Sequence, residues 1–98
     1  MVRAIELEKK LDKSDNPAVL DTLGWAHYRN GQYAEAVGVL ERVVAKAGQY
    51  PIFHYHLGMA YLASGNKVGA KQELKRAVDE AQSDYPGLEE ARAALKKL

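Results

Sequence analysis

The sequence has no cysteine, which excludes disulfides, thiolate metal sites and a cysteine nucleophile, yet suits either side of a bacterial membrane. It has no surplus of one charge either. Fourteen Lys and Arg stand against 13 Asp and Glu for a net +1, too little to draw the chain to nucleic acid or to an anionic membrane. No apolar run approaches the ~18 residues a membrane span needs, and the stretch from Met1 to Lys10 lacks an apolar core of signal-peptide length. Nucleic acid and membrane insertion are therefore not expected. As written the chain reads as soluble and unexported, and so cytoplasmic if complete. As a fragment it could derive from an exported or membrane-associated parent.

Catalytic patterns are missing as well. No serine sits in a nucleophile elbow, and Gly58 and Gly65 fall inside a helix-turn pattern rather than after a strand, so no phosphate-binding loop is present. His54 and His56 are two apart and point about 200 degrees away from each other on a helix, so they cannot share a metal as an i, i+4 pair would. His27 has no carboxylate or third ligand at helical spacing beside it. The adjacent Glu89 and Glu90 lie at a helix start, where the dipole alone accounts for them. No enzyme activity, cofactor or metal is expected.

What is present is a repeat. Aligned without a gap, residues 17–50 and 51–84 share ten identities: Pro17/Pro51, Leu23/Leu57, Gly24/Gly58, Ala26/Ala60, Gly31/Gly65, Ala36/Ala70, Leu40/Leu74, Arg42/Arg76, Val44/Val78 and Ala47/Ala81. Average residue usage would give ~2. The shared positions are mainly small, turn-forming and apolar, the kinds that set the distance between packed helices. Each unit reads as a helix pair. Asp15 or Asn16 with Pro17 opens a helix to about residue 30, Asn30-Gly31 ends it, and Tyr33 to Lys46 carries an apolar stripe through Ala36, Val37, Leu40, Val43, Val44 and Ala47. Pro51 opens the copy, with helices over 51–64 and 67–82. Ahead of them, Ala4, Leu7 and Leu11 mark a short amphipathic helix. After them, Pro86-Gly87 opens a final one with Leu88, Ala91, Leu95 and Leu98 in one stripe.

A 34-residue unit with Leu-Gly, a later aromatic, Gly-x-Tyr and then Ala, as in Leu23-Gly24, Tyr28, Gly31-Gln32-Tyr33 and Ala36, resembles the tetratricopeptide repeat family. The chain departs from the family pattern at His27, Gly48 and Lys67. Asp21-Thr22-Leu23-Gly24-Trp25 and His54 to Tyr61 further resemble the C-terminal repeats of bacterial tetratricopeptide proteins associated with exopolysaccharide export. The resemblance implies an all-α fold of about six helices, with antiparallel pairs stacked as a right-handed superhelix. It would form one domain over residues 1–98: a leading helix (1–16), repeat one (17–50), repeat two (51–84) and a C-terminal capping helix (85–98).

The resemblance also implies a function: a non-enzymatic scaffold whose concave groove, lined by the first helix of each pair, takes a peptide or helix of another protein. Matching positions place Ala18, Asp21, Trp25, Tyr28 and Arg29 of repeat one in that groove, with Ile52, Tyr55, Met59, Leu62 and Ala63 of repeat two. Family members that bind chaperone tails grip a carboxylate with Lys, Asn and Arg. Asp21, Trp25, Tyr55 and Met59 stand at those places here, so such a tail is not the expected ligand. Trp25, Tyr28, Tyr55, Met59 and Leu62 are instead the candidate anchors. Burial of Trp25 within the chain is an equal alternative, while Tyr33, Leu40, Leu57, Tyr61 and Leu74 are expected in the core. Lys67, Lys71 and Lys75 form a basic ridge at i, i+4, i+8 that could bind an acidic partner, but with acids interspersed it reads chiefly as a solvated face. The alternative function is a structural or self-associating module, a homo-oligomer or part of a longer array, since stable stacks usually need about three repeats.

Overall fold

Helix boundaries follow the capping residues. In the computed structural model, which describes residues 16–98, the Asn16 side chain accepts from the backbone N–H of Ala18 at 3.0 Å, and Pro17 takes the first helical position, where its missing N–H costs nothing. The helix expected in the leading segment lies outside the described residues. Helix α1 spans Pro17–Arg29, α2 Tyr33–Ala47, α3 Pro51–Ala63, α4 Lys67–Asp79 and α5 Leu88–Lys96. Among the described residues there is no strand. Tight turns at Gly31 and Gly65 fold α2 back on α1 and α4 back on α3, and the Asn66 side chain caps α4 by accepting from Gly69 N–H at 2.9 Å.

The described residues thus form two antiparallel helix pairs followed by a single helix. α2 packs against both α1 and α3, and α4 against both α3 and α5. One cluster joins Leu20 and Leu23 of α1 to Val39 and Val43 of α2. A second joins Ala36 and Leu40 of α2 to Leu57 and Ala60 of α3, so α2 is the wall shared between the repeats. A third holds Tyr55, Ala70, Leu74, Ala77 and Ala91 and fastens α5 to repeat two. Tyr61 adds a polar tie, its hydroxyl donating to Glu41 of α2 at 2.6 Å.

Two expectations need correction. Tyr33 is not core: it is 39 % exposed, because a side chain at the first helical position points back past the turn. Its ring lies over Tyr28 at 5.6 Å. Helix α4 ends at Asp79 rather than near residue 82, since the polar run Gln82-Ser83-Asp84 offers nothing apolar to hold another turn. The connector is pinned instead by the Tyr85 hydroxyl, which donates to Ala77 O at 2.6 Å. Leu40, Leu57 and Leu74 are buried as expected.

In each pair the partner helix comes close over a repeated glycine. A Cβ on Gly24 would stand 2.6 Å from Leu40 Cγ, and one on Gly58 2.7 Å from Leu74 Cγ and 3.2 Å from the Leu74 backbone nitrogen. Leucine thus fills the notch that glycine leaves, at the same place in both copies. Gly58→Ala gains ~1 kcal/mol of helix propensity but overpacks at a cost of ~1–3 kcal/mol. Because backbone as well as side chain opposes it, net destabilisation is expected and should exceed that of Gly24→Ala, where only side chains intrude. Urea denaturation measures both, and a neutral or stabilising Gly58→Ala would show that the approach is slack.

Candidate functional site

The first helices of the two pairs, α1 and α3, place a run of rings side by side. Trp25 stacks on Tyr28 of its own helix, with centroids 4.5 Å apart and planes 8° apart. Its ring also stacks on His56 of α3 at 4.2 Å and is tilted against Tyr55 at 5.6 Å. Tyr33 extends the row beyond Tyr28. Trp25 and Tyr28 are half-buried, each offering ring surface to solvent while the neighbouring rings hold it in place. Burial raises the Tyr28, Tyr55 and Tyr61 phenols above their ordinary 10.0, so at neutral pH all three are uncharged.

A polar seam runs beneath the rings. Asp21 is buried on α1 and accepts from His56 Nδ1 at 2.7 Å. A carboxylate can only accept, so that bond fixes the imidazole's orientation and, with it, the surface on which Trp25 rests. Two residues earlier on α3, His54 is wholly buried, with 0 % exposed. Its Nδ1 meets Glu73 of α4 at 2.5 Å and its Nε2 meets Gly48 O, at the end of α2, at 2.6 Å. An ionised Glu73 and the Gly48 carbonyl both accept, so these contacts favour the doubly protonated ring. The Glu73 hydrogen bond chiefly raises its pKa above 6.5, with help from Gly48, against desolvation and the nearby Arg76 charge. His27 is also buried and pairs with Gln32 Oε1 across the first turn at 2.8 Å, which braces repeat one.

The groove residues expected from the sequence fall into three places. Trp25 and Tyr28 lie on the ring row, and Arg29 is exposed at the end of α1. Ile52 and Ala18 line a cleft of about 430 Å³ at the starts of α1 and α3. Met59 and Leu62 line another of about 700 Å³ at the far end of α3. Asp21 and Tyr55 point inward: Asp21 is taken by His56, and Tyr55 is covered by Gly87, whose φ of +108° brings the backbone so close that a Cβ there would meet the Tyr55 ring at 2.3 Å. They support the face without presenting themselves on it, because the next first helix packs over this position in each repeat.

The His54–Glu73 link is absent from the sequence expectations, although the repeat alignment holds its signal. The equivalent positions in repeat one are Leu20 and Val39, which touch in the α1–α2 core. Histidine and glutamate therefore replace an apolar pair at matching sites of one helix-helix contact. A polar residue where its copy has buried leucine needs a partner, and the aligned substitution names it.

A family model for the tetratricopeptide repeat matches residues 22–86, from the second turn of α1 to the connector before α5. The chain belongs to the tetratricopeptide repeat family, whose members are generally protein-interaction modules. The match concerns the repeat as such and does not bear on the narrower likeness to exopolysaccharide-export proteins. Comparison with curated proteins and comparison with solved structures each returned no match.

His54→Leu leaves the partly buried Glu73 unpaired and should destabilise the fold by ~1–3 kcal/mol. His54→Leu with Glu73→Val, which transplants the repeat-one pair, should return stability to within ~1 kcal/mol of the parent. Folded His54 holds its proton more tightly than the unfolded 6.5. Its contribution is therefore complete below that pH and is lost as pH rises through the raised folded value. Denaturation midpoints measured from pH 6 upward, roughly the unfolded histidine range, should show this decline in the parent and not in the double variant. A decline in both would assign it to another group.

Proposed function

We propose that the chain is a non-enzymatic interaction module that holds a peptide or a helix of another protein against the face formed by α1 and α3. The observation that supports this most is the Trp25 stack. Trp25 and Tyr28 are half-buried aromatics, and Trp25 is already ordered by its stacking on Tyr28 and on His56. Surface ordered before contact loses little entropy on contact, and Trp and Tyr are the side chains that most often dominate binding energy. Arg29 at the end of α1 supplies a charged, exposed neighbour, while Ile52, Met59 and Leu62 continue the apolar surface along α3. Asp21 and Tyr55 hold the face in shape from below.

The single tryptophan makes the reading testable. A peptide selected from a display library against the 98-residue chain should shift Trp25 emission on binding. Trp25→Ala and Tyr28→Ala should each weaken it by about tenfold or more, as expected of aromatic anchors, with the helical circular dichroism retained. Lys75→Ala, exposed on α4, should have no effect. Binding that leaves Trp25 emission and both aromatic variants unchanged would refute the assignment. Sedimentation at micromolar concentration checks the competing use of this face: a dimer dissociated by Trp25→Ala would mean that a second copy covers it.

A further inference from the structure

Past the aromatic row, where α3 and α4 meet the last turns of α5, the 700 Å³ cleft lies open. Helix α5 is anchored through Leu88 and Ala91, both buried in its first half. Farther along it offers Ala93 and Ala94, side chains too small to close the gap. The apolar surface comes from Met59 and Leu62 on one side, Ala94 and Leu98 on the other, and Val68, which is 72 % exposed. Met59 and Leu62 are i, i+3 and Ala94 and Leu98 are i, i+4, so each wall is about one helical turn long.

The rim is charged in one sense. Lys67 and Lys71 stand one turn apart on α4, with Lys97 just past the end of α5, and only Glu90 opposes them. All three lysines are exposed, and among the described residues none has an ion-pair partner. Local charge is therefore positive although the chain as a whole is nearly neutral.

We propose that this cleft is the docking site for a short amphipathic helix of a partner protein, one with an apolar i, i+3 or i, i+4 stripe flanked by acidic side chains. The stripe fills the space between α3 and α5 while the acids face Lys67, Lys71 and Lys97. Charge complementarity selects this occupant. The chain's own first 15 residues set Arg3, Lys9, Lys10 and Lys13 against Glu6, Glu8, Asp12 and Asp15, with no acidic surplus to match the rim. The exposed side of α5 is likewise of mixed sign. The proposal rests on the reading of the chain as a protein-binding module; it shares Met59 and Leu62 with the face described above but does not involve Trp25 or Tyr28.

The test uses the full chain and a fluorescent helical peptide of ~18 residues, long enough to be partly helical alone, with a leucine stripe flanked by glutamates. A twin peptide carries lysine in place of glutamate. The acidic peptide should bind and its twin should not, and affinity should fall with rising salt. Lys67→Glu with Lys71→Glu should lower affinity about tenfold, and Val68→Glu should do the same by placing an acid on the floor. These side chains are exposed, and glutamate near the start of α4 suits the helix dipole, so circular dichroism should be unchanged. Equal binding of both peptides, or unchanged affinity in the variants, would overturn the proposal. So would preferential binding to mixed phosphatidylcholine and phosphatidylserine vesicles, or a dimer of the chain that Val68→Glu dissociates. If the acidic peptide fails while the Trp25-directed peptide binds, only the cleft assignment falls. If both fail, the wider reading falls with it.

Discussion

The structure depends on how closely two helices of a pair can lie. Gly24 against Leu40 and Gly58 against Leu74 permit that approach, with the same residues recurring at the same separation. With the pair spacing fixed, the shared wall α2 has only one apolar surface left for α3, and repeat two takes its place on repeat one. The row of first helices, and hence the ring surface and the two clefts beside it, follows from that placement. Glycine does this by absence: the stabilisation is the packed leucine, and a methyl group in the notch would displace it.

Within this frame one contact is made with two chemistries. Leu20 and Val39 meet as hydrocarbon in repeat one; His54 and Glu73 meet through a hydrogen bond in repeat two, with Gly48 O accepting from the second imidazole nitrogen. The polar version confers no general advantage in stability, since desolvation offsets much of the attraction. What it adds is direction. An apolar pair tolerates small rotations, whereas an imidazole held at both nitrogens orients α3 relative to α4 and to the end of α2. His56, two residues on, is oriented in turn by Asp21 and forms the bed for Trp25. Order passes from buried polar groups to the exposed rings through hydrogen bonds of defined geometry.

Much of the fold was legible in the sequence because the repeat states it twice. Capping residues at Asn16-Pro17 and Asn66, and the small residues at the helix contact, act locally, and their consequences appear where spacing places them. The site was less legible, for a physical reason. Asp21, Trp25 and Tyr28 belong to one side of α1, and spacing alone cannot say which of them the next helix covers. Asp21 and Tyr55 turn inward because α3 and then α5 pack over that position; Trp25 stays half-buried while stacking on His56. Tyr33 was misjudged because a first-turn side chain follows the turn, not the stripe. The His54–Glu73 link was readable only by comparing the repeats with each other, position against position.

The repeat therefore separates a frame, which the copies share, from a face, on which they differ. Trp25 and Tyr28 are matched in repeat two by Met59 and Leu62, and the second copy folds around those residues. Exchanging Trp25→Met and Tyr28→Leu together tests that separation most directly, by comparing thermal unfolding and affinity for a selected peptide ligand in the variant and the parent. The account predicts a melting temperature lowered by only a few degrees and binding lost. A variant that unfolds, or one that binds as the parent does, would contradict it.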